Sequence, residues 1–271
     1  MEVIETNTIK VNGITISYTD SGEGIYPVIF IHGFPFNKQA WKPQADFFKK
    51  SNRVITYDIR GFGESGTNDE KTSIALFADD LLKFMDALGI KKAILCGLSM
   101  GGYILLEAVT LYPDRFKGMI LCDTQCVADT PEAKEKRLEI IQQIKENGLE
   151  DFAKTFLETA FCKESFNSKK KLIEKLNRDI IALPSKVVVD TLYALAQRPE
   201  KCTVLKDIVV PTLIICGKED KITGIERSEF LFSNIDHSSL KIISDAGHVS
   251  NLEQPEEFNK CLGNFIKALL K

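Results

Sequence analysis

Residues 93–108 limit what this chain can fold into more than any other stretch. An apolar run, Ala93-Ile94-Leu95-Cys96, leads into Gly97-Leu98-Ser99-Met100-Gly101-Gly102. A helical pattern then continues through Tyr103, Leu105, Leu106 and Ala108. Strand, then Gly-x-Ser-x-Gly, then helix is the context that places a serine at the tip of a sharp turn. Gly97 and Gly101 remove side chains that would collide where strand and helix meet. Ser99 then points off the carboxyl end of its strand, toward the amino end of the next helix. Unpaired N–H groups and partial positive charge collect there. As a bare pattern Gly-x-Ser-x-Gly is only a glycine-rich loop; the flanking strand and helix make Ser99 a candidate nucleophile.

Similar apolar runs cover residues 27–31, 53–57, 119–122, 212–216 and 240–243, with amphipathic patterns between most of them. Ile9-Lys10-Val11 and residues 14–18 flank Asn12-Gly13, a hairpin signal. The order predicts an α/β fold: a mostly parallel eight-stranded sheet with helices on both faces. Ligands of such sheets bind beyond the carboxyl ends of the strands.

Residues 124–206 break the alternation. Leu149, Phe152, Ala153, Phe156, Leu157 and Ala160 recur at helical spacing, as do Leu172, Ile173, Leu176 and Ile180. Val187-Val188-Val189 suits a strand or a helix. The segment is expected to be a helical cap inserted into a core made of residues 1–123 and 207–271. Lys169-Lys170-Lys171 reads as a solvated helix face.

The formal charge of −3 gives no electrostatic reason to expect a nucleic-acid partner. No apolar run approaches the roughly 20 residues that a membrane span needs. Met1-Glu2-Val3-Ile4-Glu5 lacks a basic-then-apolar leader pattern, so a cytoplasmic location is expected. Seven cysteines, an odd number, fit a disulfide framework poorly. Cys96, Cys122 and Cys216 lie in apolar runs and read as small buried hydrophobes, and Cys122 and Cys126 do not form a Cys-x-x-Cys pair. The three histidines make no His-Glu-x-x-His pattern, so no metal is expected.

A serine hydroxyl is a weak nucleophile at neutral pH and needs an adjacent base. His248 follows the last apolar run and the small residues Ala246 and Gly247, which fit a loop that delivers an imidazole to the strand ends. His32 precedes Gly33-Phe34-Pro35 and reads as shaping that loop; His237 lies ahead of its strand, at the opposite edge. Asp220 closes Gly217-Lys218-Glu219-Asp220 and is the expected partner of His248, in the order serine, acid, histidine; Asp123, at the end of the strand after the Ser99 helix, is its competitor. The backbone N–H groups of Met100 and Phe34 are the expected oxyanion donors. Phe34, Phe156, Phe161 and Val249 are candidate linings of an apolar substrate pocket, each with ordinary core packing as the alternative.

Together these motifs resemble the α/β-hydrolase superfamily over nearly the whole chain. His32-Gly33-Phe34-Pro35 resembles its oxyanion loop, and Asp58-Ile59-Arg60-Gly61-Phe62-Gly63-Glu64-Ser65 its turn after the fourth strand. Asp58, Arg60 and Ser65 read as fixing that turn. Within the superfamily, Trp41-x-x-Gln44, Tyr57-Asp58-x-Arg60-Gly61 and Leu98-Ser99-Met100-Gly101-Gly102 resemble small carboxylesterases, 3-oxoadipate enol-lactonase-like enzymes and cofactor-free haloperoxidases. Haloalkane dehalogenases and epoxide hydrolases carry aspartate at the elbow, which Ser99 argues against. Carbon–carbon bond hydrolases share Ser-Met-Gly-Gly but often follow Gly-Asn, and Leu98 departs from that. Gly224 stands where many relatives have proline after the acid loop.

The resemblance implies a serine hydrolase that cleaves small carboxylic esters, thioesters or lactones through an acyl-enzyme, with no cofactor. Three other readings stay open: a ligand sensor that keeps the triad, a perhydrolase and a carbon–carbon bond hydrolase. The expected partner is a small molecule, with no nucleic acid and no membrane; a homo-oligomer is left open.

Overall fold

The computed structural model describes residues 5–271. The leader reading at residues 1–4 therefore lies outside the described residues. Eight strands form one sheet in the order β1-β2-β4-β3-β5-β6-β7-β8: β1 (Thr6–Val11), β2 (Ile14–Ser21), β3 (Val28–Ile31), β4 (Val54–Tyr57), β5 (Ala93–Leu98), β6 (Phe116–Cys122), β7 (Thr212–Gly217) and β8 (Ser238–Ile243). β1 and β2 pair antiparallel, β2 pairs antiparallel with β4, and the rest is parallel. Asn12 and Gly13 both take positive φ, 48° and 73°, as a tight hairpin turn between right-twisted strands requires.

The central strands are apolar throughout because helices cover both faces. Ile29, Ile31, Leu95, Met119, Leu121 and Ile214 join one buried cluster. Their chain neighbours Val28, Phe30, Ile94, Cys96, Ile120, Cys122, Leu213 and Ile215 join the other. This alternation is the two-residue period of a strand, here apolar on both sides. α1 (Lys42–Phe48) and a carboxyl-terminal helix at Pro255–Leu269 pack on the second face, where Trp41 sits between Phe30 and Phe258 at 4.8 and 5.8 Å. α2 (Ile74–Ala87) and α3 (Met100–Leu111) cover the first.

Between β6 and β7 lie five α-helices, α4 (Pro131–Asn147), α5 (Glu150–Ala160), α6 (Ser165–Ser168), α7 (Lys170–Ile181) and α8 (Ser185–Gln197), and a 3-10 turn at Cys202–Asp207. The ambiguous valines belong to α8. Val188, Leu192 and Leu195 share one buried face at i, i+4 and i+7, and that pattern overrides the strand preference of three adjacent β-branched residues. The remaining helices are α9 (Ile225–Asn234), α10 (Ser250–Glu253) and α11 (Pro255–Leu269).

One expectation about the cysteines is corrected. Cys126, just after β6, is disulfide-bonded to Cys202, at the start of the 3-10 turn that leads to β7. The odd count leaves room for this pair, and both partners sit where the chain leaves and re-enters the sheet. Cys96, Cys122 and Cys216 are buried free thiols.

Candidate active site

Parallel register aligns the strand ends. Leu98 pairs with Cys122, Cys122 with Ile215, and Gly217 with Ile243. The residues that follow β5 to β8 therefore emerge on one level. Ser99 is the first, with φ 51° and ψ −111°, a conformation that non-glycine residues rarely adopt. Packing holds it there. A Cβ on Gly97 would lie 2.4 Å from the Gly101 carbonyl, and one on Gly101 would lie 2.4 Å from the Ile31 carbonyl. Ser99 N–H donates to Cys122 O at 2.8 Å, and Ser99 O accepts from Thr124 Oγ1 at 2.8 Å.

The structure brings Ser99, His248 and Asp220 together. Ser99 Oγ lies 2.8 Å from His248 Nε2, and His248 Nδ1 lies 2.8 Å from Asp220 Oδ2. With Nδ1 protonated toward the carboxylate, Nε2 is left to accept the serine hydroxyl proton. Asp220 is itself fixed. Its Oδ1 accepts from Ile222 N at 2.8 Å and Thr223 N at 2.9 Å, and its Oδ2 accepts from Thr223 Oγ1 at 2.7 Å.

Burial pushes Asp220 up, but the charge and hydrogen bond of His248 and the Thr223 bonds outweigh it and bring the carboxyl down to about 2. Burial pulls His248 down; Asp220, with smaller help from Asp123 and Glu253, more than reverses it, and the imidazole is more basic than usual. Asp123 is buried nearby with a different set of partners. It accepts from Gly217 N at 2.7 Å and from Ser250 Oγ at 2.6 Å, so it ties the end of β7 to the His248 loop. Burial, then the charge of Asp220, raises its carboxyl to about 7.

Gly33 lies against the serine, where a Cβ would sit 3.2 Å from Ser99 Cβ. Gly33 is thus packed against the serine side chain, and Met100 opens α3, whose first N–H groups lack partners within the helix. Phe34, Ser99, Met100 and His248 all line one cavity of about 610 Å³, which α4, α5 and α8 enclose. Phe156 is also in its wall, with its ring 6.4 Å from that of Phe34.

Two candidate linings are corrected. Phe161 is buried and packs on Phe166 at 6.5 Å, and Val249 is buried at the start of α10; neither reaches the cavity. Phe161 and Val249 belong instead to the second buried cluster, on the sheet face that carries Trp41 and Phe258. Tyr103, Ile140, Ile144, Leu192, Leu195 and Ile222 line the cavity instead. Of these, only Tyr103 stands in a helical pattern picked out in the sequence; Ile222 lies outside any helix, and an apolar stripe that faces a cavity reads like one that faces a core.

His32 is in the loop below. Its Nδ1–H donates to Gly33 O at 2.9 Å, and its Nε2 accepts from Ile59 N at 2.9 Å. His237 is exposed, and its carbonyl accepts from Thr212 N at the opposite end of the sheet. Asp58 accepts from Lys38 N, Lys38 Nζ and Glu64 N; Arg60 makes a two-pronged bond to Asp80; Ser65 Oγ donates to Asp58 O. These bonds fix the turn after β4. Cys162, Glu164 and Glu219 are the one group of potential metal ligands that converges among the described residues. Burial raises the Cys162 thiol, and it is bonded to Ser165 Oγ, which leaves the set poorly suited to a zinc-type ion.

A family model described as the alpha/beta hydrolase fold matches residues 26–255. The chain is 31% identical over 259 residues to 3-oxoadipate enol-lactonase 1 of Acinetobacter baylyi, covering 95% of each chain. It is 29% identical over 269 residues to 3-oxoadipate enol-lactonase 2 of the same organism, covering 98% of this chain and 96% of that one. Its structure is similar to that of a thermophilic esterase from Thermogutta terrifontis, with a TM-score of 0.92 and 32% identity over 98% of this chain and 99% of the other. No helix among the described residues is long and apolar enough to cross a membrane.

Proposed function

The chain belongs to the α/β-hydrolase family, and on that premise we propose that it cleaves small carboxylic esters, thioesters or lactones through an acyl-enzyme on Ser99. One observation carries this reading: His248 bridges the Ser99 hydroxyl and the Asp220 carboxylate at 2.8 Å on each side, at the floor of a cavity. The esterase and lactonase names of similar proteins agree with it.

His248 takes the Ser99 proton as the oxygen attacks the carbonyl. The N–H groups of Phe34 and Met100 receive the developing oxyanion. His248 then gives its proton to the departing alkoxide or thiolate. For a lactone the alkoxide stays tethered, and the ring opens. Water, deprotonated by His248, releases the acid in a second step. Asp220 keeps the Nδ1–H tautomer and offsets the imidazolium charge in both steps. Residues 124–206 act as the cap, whose helices wall the cavity and limit water access. The volume of about 610 Å³ suits a small-molecule acyl or alcohol group.

The test is a hydrolysis screen over p-nitrophenyl esters of rising acyl length and simple lactones, run beside Ser99→Ala. Saturable turnover on at least one substrate, abolished by Ser99→Ala, is expected. Full activity of Ser99→Ala on p-nitrophenyl acetate overturns the mechanism.

A further inference from the structure

The peptide that carries His248 is held from outside the sheet. Gly247 N–H donates to Glu253 Oε1 at 2.6 Å, and His248 N–H donates to the carbonyl of Ala160, the last residue of α5, at 2.7 Å. The other oxygen of Glu253 accepts from Cys162 N at 2.8 Å and from Ser165 Oγ at 2.6 Å. Glu253 is 1% exposed, and no ion pair involves it among the described residues. A buried carboxylate is costly unless its oxygens are bonded. Here the donors come from two places, the His248 loop on one oxygen and the segment after α5 on the other. The two backbones touch: a Cβ on Gly247 would meet Ala160 O at 2.6 Å and Cys162 N at 3.0 Å. α5 also gives Phe152, Thr155, Phe156 and Thr159 to the cavity wall.

We propose that Glu253 is a positioning residue for His248, joining the peptide that carries the base to the end of the helix that walls the cavity. Imidazole alignment then depends on how α5 is seated. This rests on the roles given above to Ser99 and His248. Glutamine cannot replace Glu253 here, because its amide NH₂ must face N–H or O–H donors on one of the two sides. Misplacing a reacting group by about 1 Å can cost on the order of 10²-fold in rate.

A misaligned imidazole has a kinetic signature. An alkoxide needs a proton from His248 to depart, whereas p-nitrophenolate leaves without one. In Glu253→Gln, kcat is expected to fall about tenfold or more on an alkyl ester and by less on the p-nitrophenyl ester of the same acid, with KM within about twofold. Ser165→Ala removes one donor on the α5 side and leaves the His248 loop intact; a smaller fall with the same leaving-group dependence is expected. Both are measured well below each variant's melting temperature. Wild-type kcat on the alkyl ester in Glu253→Gln, or equal losses on both esters, overturns the proposal. If Glu253→Gln does not fold, Ser165→Ala decides, and wild-type kcat there overturns it. Ser99→Ala run in parallel separates the two levels: retained activity in that variant sinks the reading of the site, whereas an inactive Ser99→Ala beside an unaffected Glu253→Gln sinks this proposal alone.

Discussion

Thr223 Oγ1 donates to Asp220 Oδ2 at 2.7 Å, on the same oxygen that receives His248 Nδ1–H at 2.8 Å. The hydroxyl also lies 3.2 Å from Nδ1, so threonine closes a small triangle with acid and base. Thr223→Val keeps the shape and deletes the donor. A hydrogen bond to a charged group is worth about 1.5–3 kcal/mol, and part of that should appear in the rate. A fall of about threefold to tenfold in kcat, with KM nearly unchanged, is expected from steady-state kinetics on a p-nitrophenyl ester.

With His248 as the proposed base, its basicity is expected to set the acid side of the pH profile. The base must be neutral to take the serine proton, so activity falls as pH drops through its pKa. Burial lowers that pKa, and the stronger effect of Asp220 raises it. The acid limb of kcat/KM is therefore expected above pH 6.5, the ordinary histidine value. Asp220→Asn removes the charge and the tautomer control, and should move the limb down while lowering kcat on the order of 10³–10⁴-fold. A limb that stays in place in Asp220→Asn would mean that another group titrates there.

Asp123 should behave in the opposite way, as a group whose effect is on stability. Its folded pKa of about 7 lies above the ordinary aspartate value, with burial the first cause and the Asp220 charge the second. The folded state therefore binds the extra proton. Its contribution is complete below about pH 4, the unfolded value, and is lost as pH rises through about 7. Asp123→Asn has no proton to lose and can still accept from Gly217 N. Melting curves at pH 5 and pH 8.5 should show the variant gaining on the wild type at the higher pH, with hydrolysis largely retained. Loss of activity as severe as in Asp220→Asn would make Asp123 the functional acid.

Chain order alone does not separate these two aspartates, since both follow Ser99 and precede His248. Spatial register does: β6 and β7 are neighbours, but only the longer loop after β7 brings its carboxylate to Nδ1. The sheet was legible because buried parallel strands are apolar on both faces and end in polar loops. Ser99 and His248 were legible because glycines flank the first and small residues precede the second. Thr223, three residues after Asp220, and Glu253, five after His248, were not. Each works through a hydrogen bond to a group that only folding brings near, and a threonine or a glutamate before Pro255 reads as an ordinary turn or helix-start residue. The cavity wall was half legible, because helical spacing finds an apolar stripe without saying what the stripe faces.

His32 offers a pH test with a different window. Both ring nitrogens are committed, Nδ1–H to a carbonyl and Nε2 to an incoming N–H, so a second proton has no acceptor. Burial lowers its pKa to about 4, against the opposing charge of Asp58. Between the unfolded value near 6.5 and about 4, the unfolded chain binds the extra proton. Stability is full above about pH 6.5 and is lost as pH falls toward 4, by up to about 3 kcal/mol. His32→Gln should be less stable at neutral pH but lose less on acidification. Urea unfolding at pH 7 and pH 4.5 measures both slopes, and parallel slopes would rule out His32 as a source of acid sensitivity.

The Cys126–Cys202 bond closes a loop across a sequence separation of 76 residues, joining the exit from β6 to the approach to β7. Cross-linking restricts the unfolded chain, and a loop of this length is worth about 4 kcal/mol by loop-closure entropy. The folded state gains another tie at the same place, since Lys201 N–H donates to Cys126 O at 2.8 Å. Residues 124–206 hang from this junction, so loss of the bond should loosen their attachment before it disturbs the sheet. Cys126→Ser with Cys202→Ser, or treatment with a reductant, is expected to lower the melting temperature by on the order of 10 °C; a domain of this size shifts by roughly 2–4 °C per kcal/mol. Hydrogen exchange should quicken in α4 and α8 while β5 and β6 stay protected. Equal acceleration in the strands would show that the bond stabilises the whole molecule rather than the root of these helices.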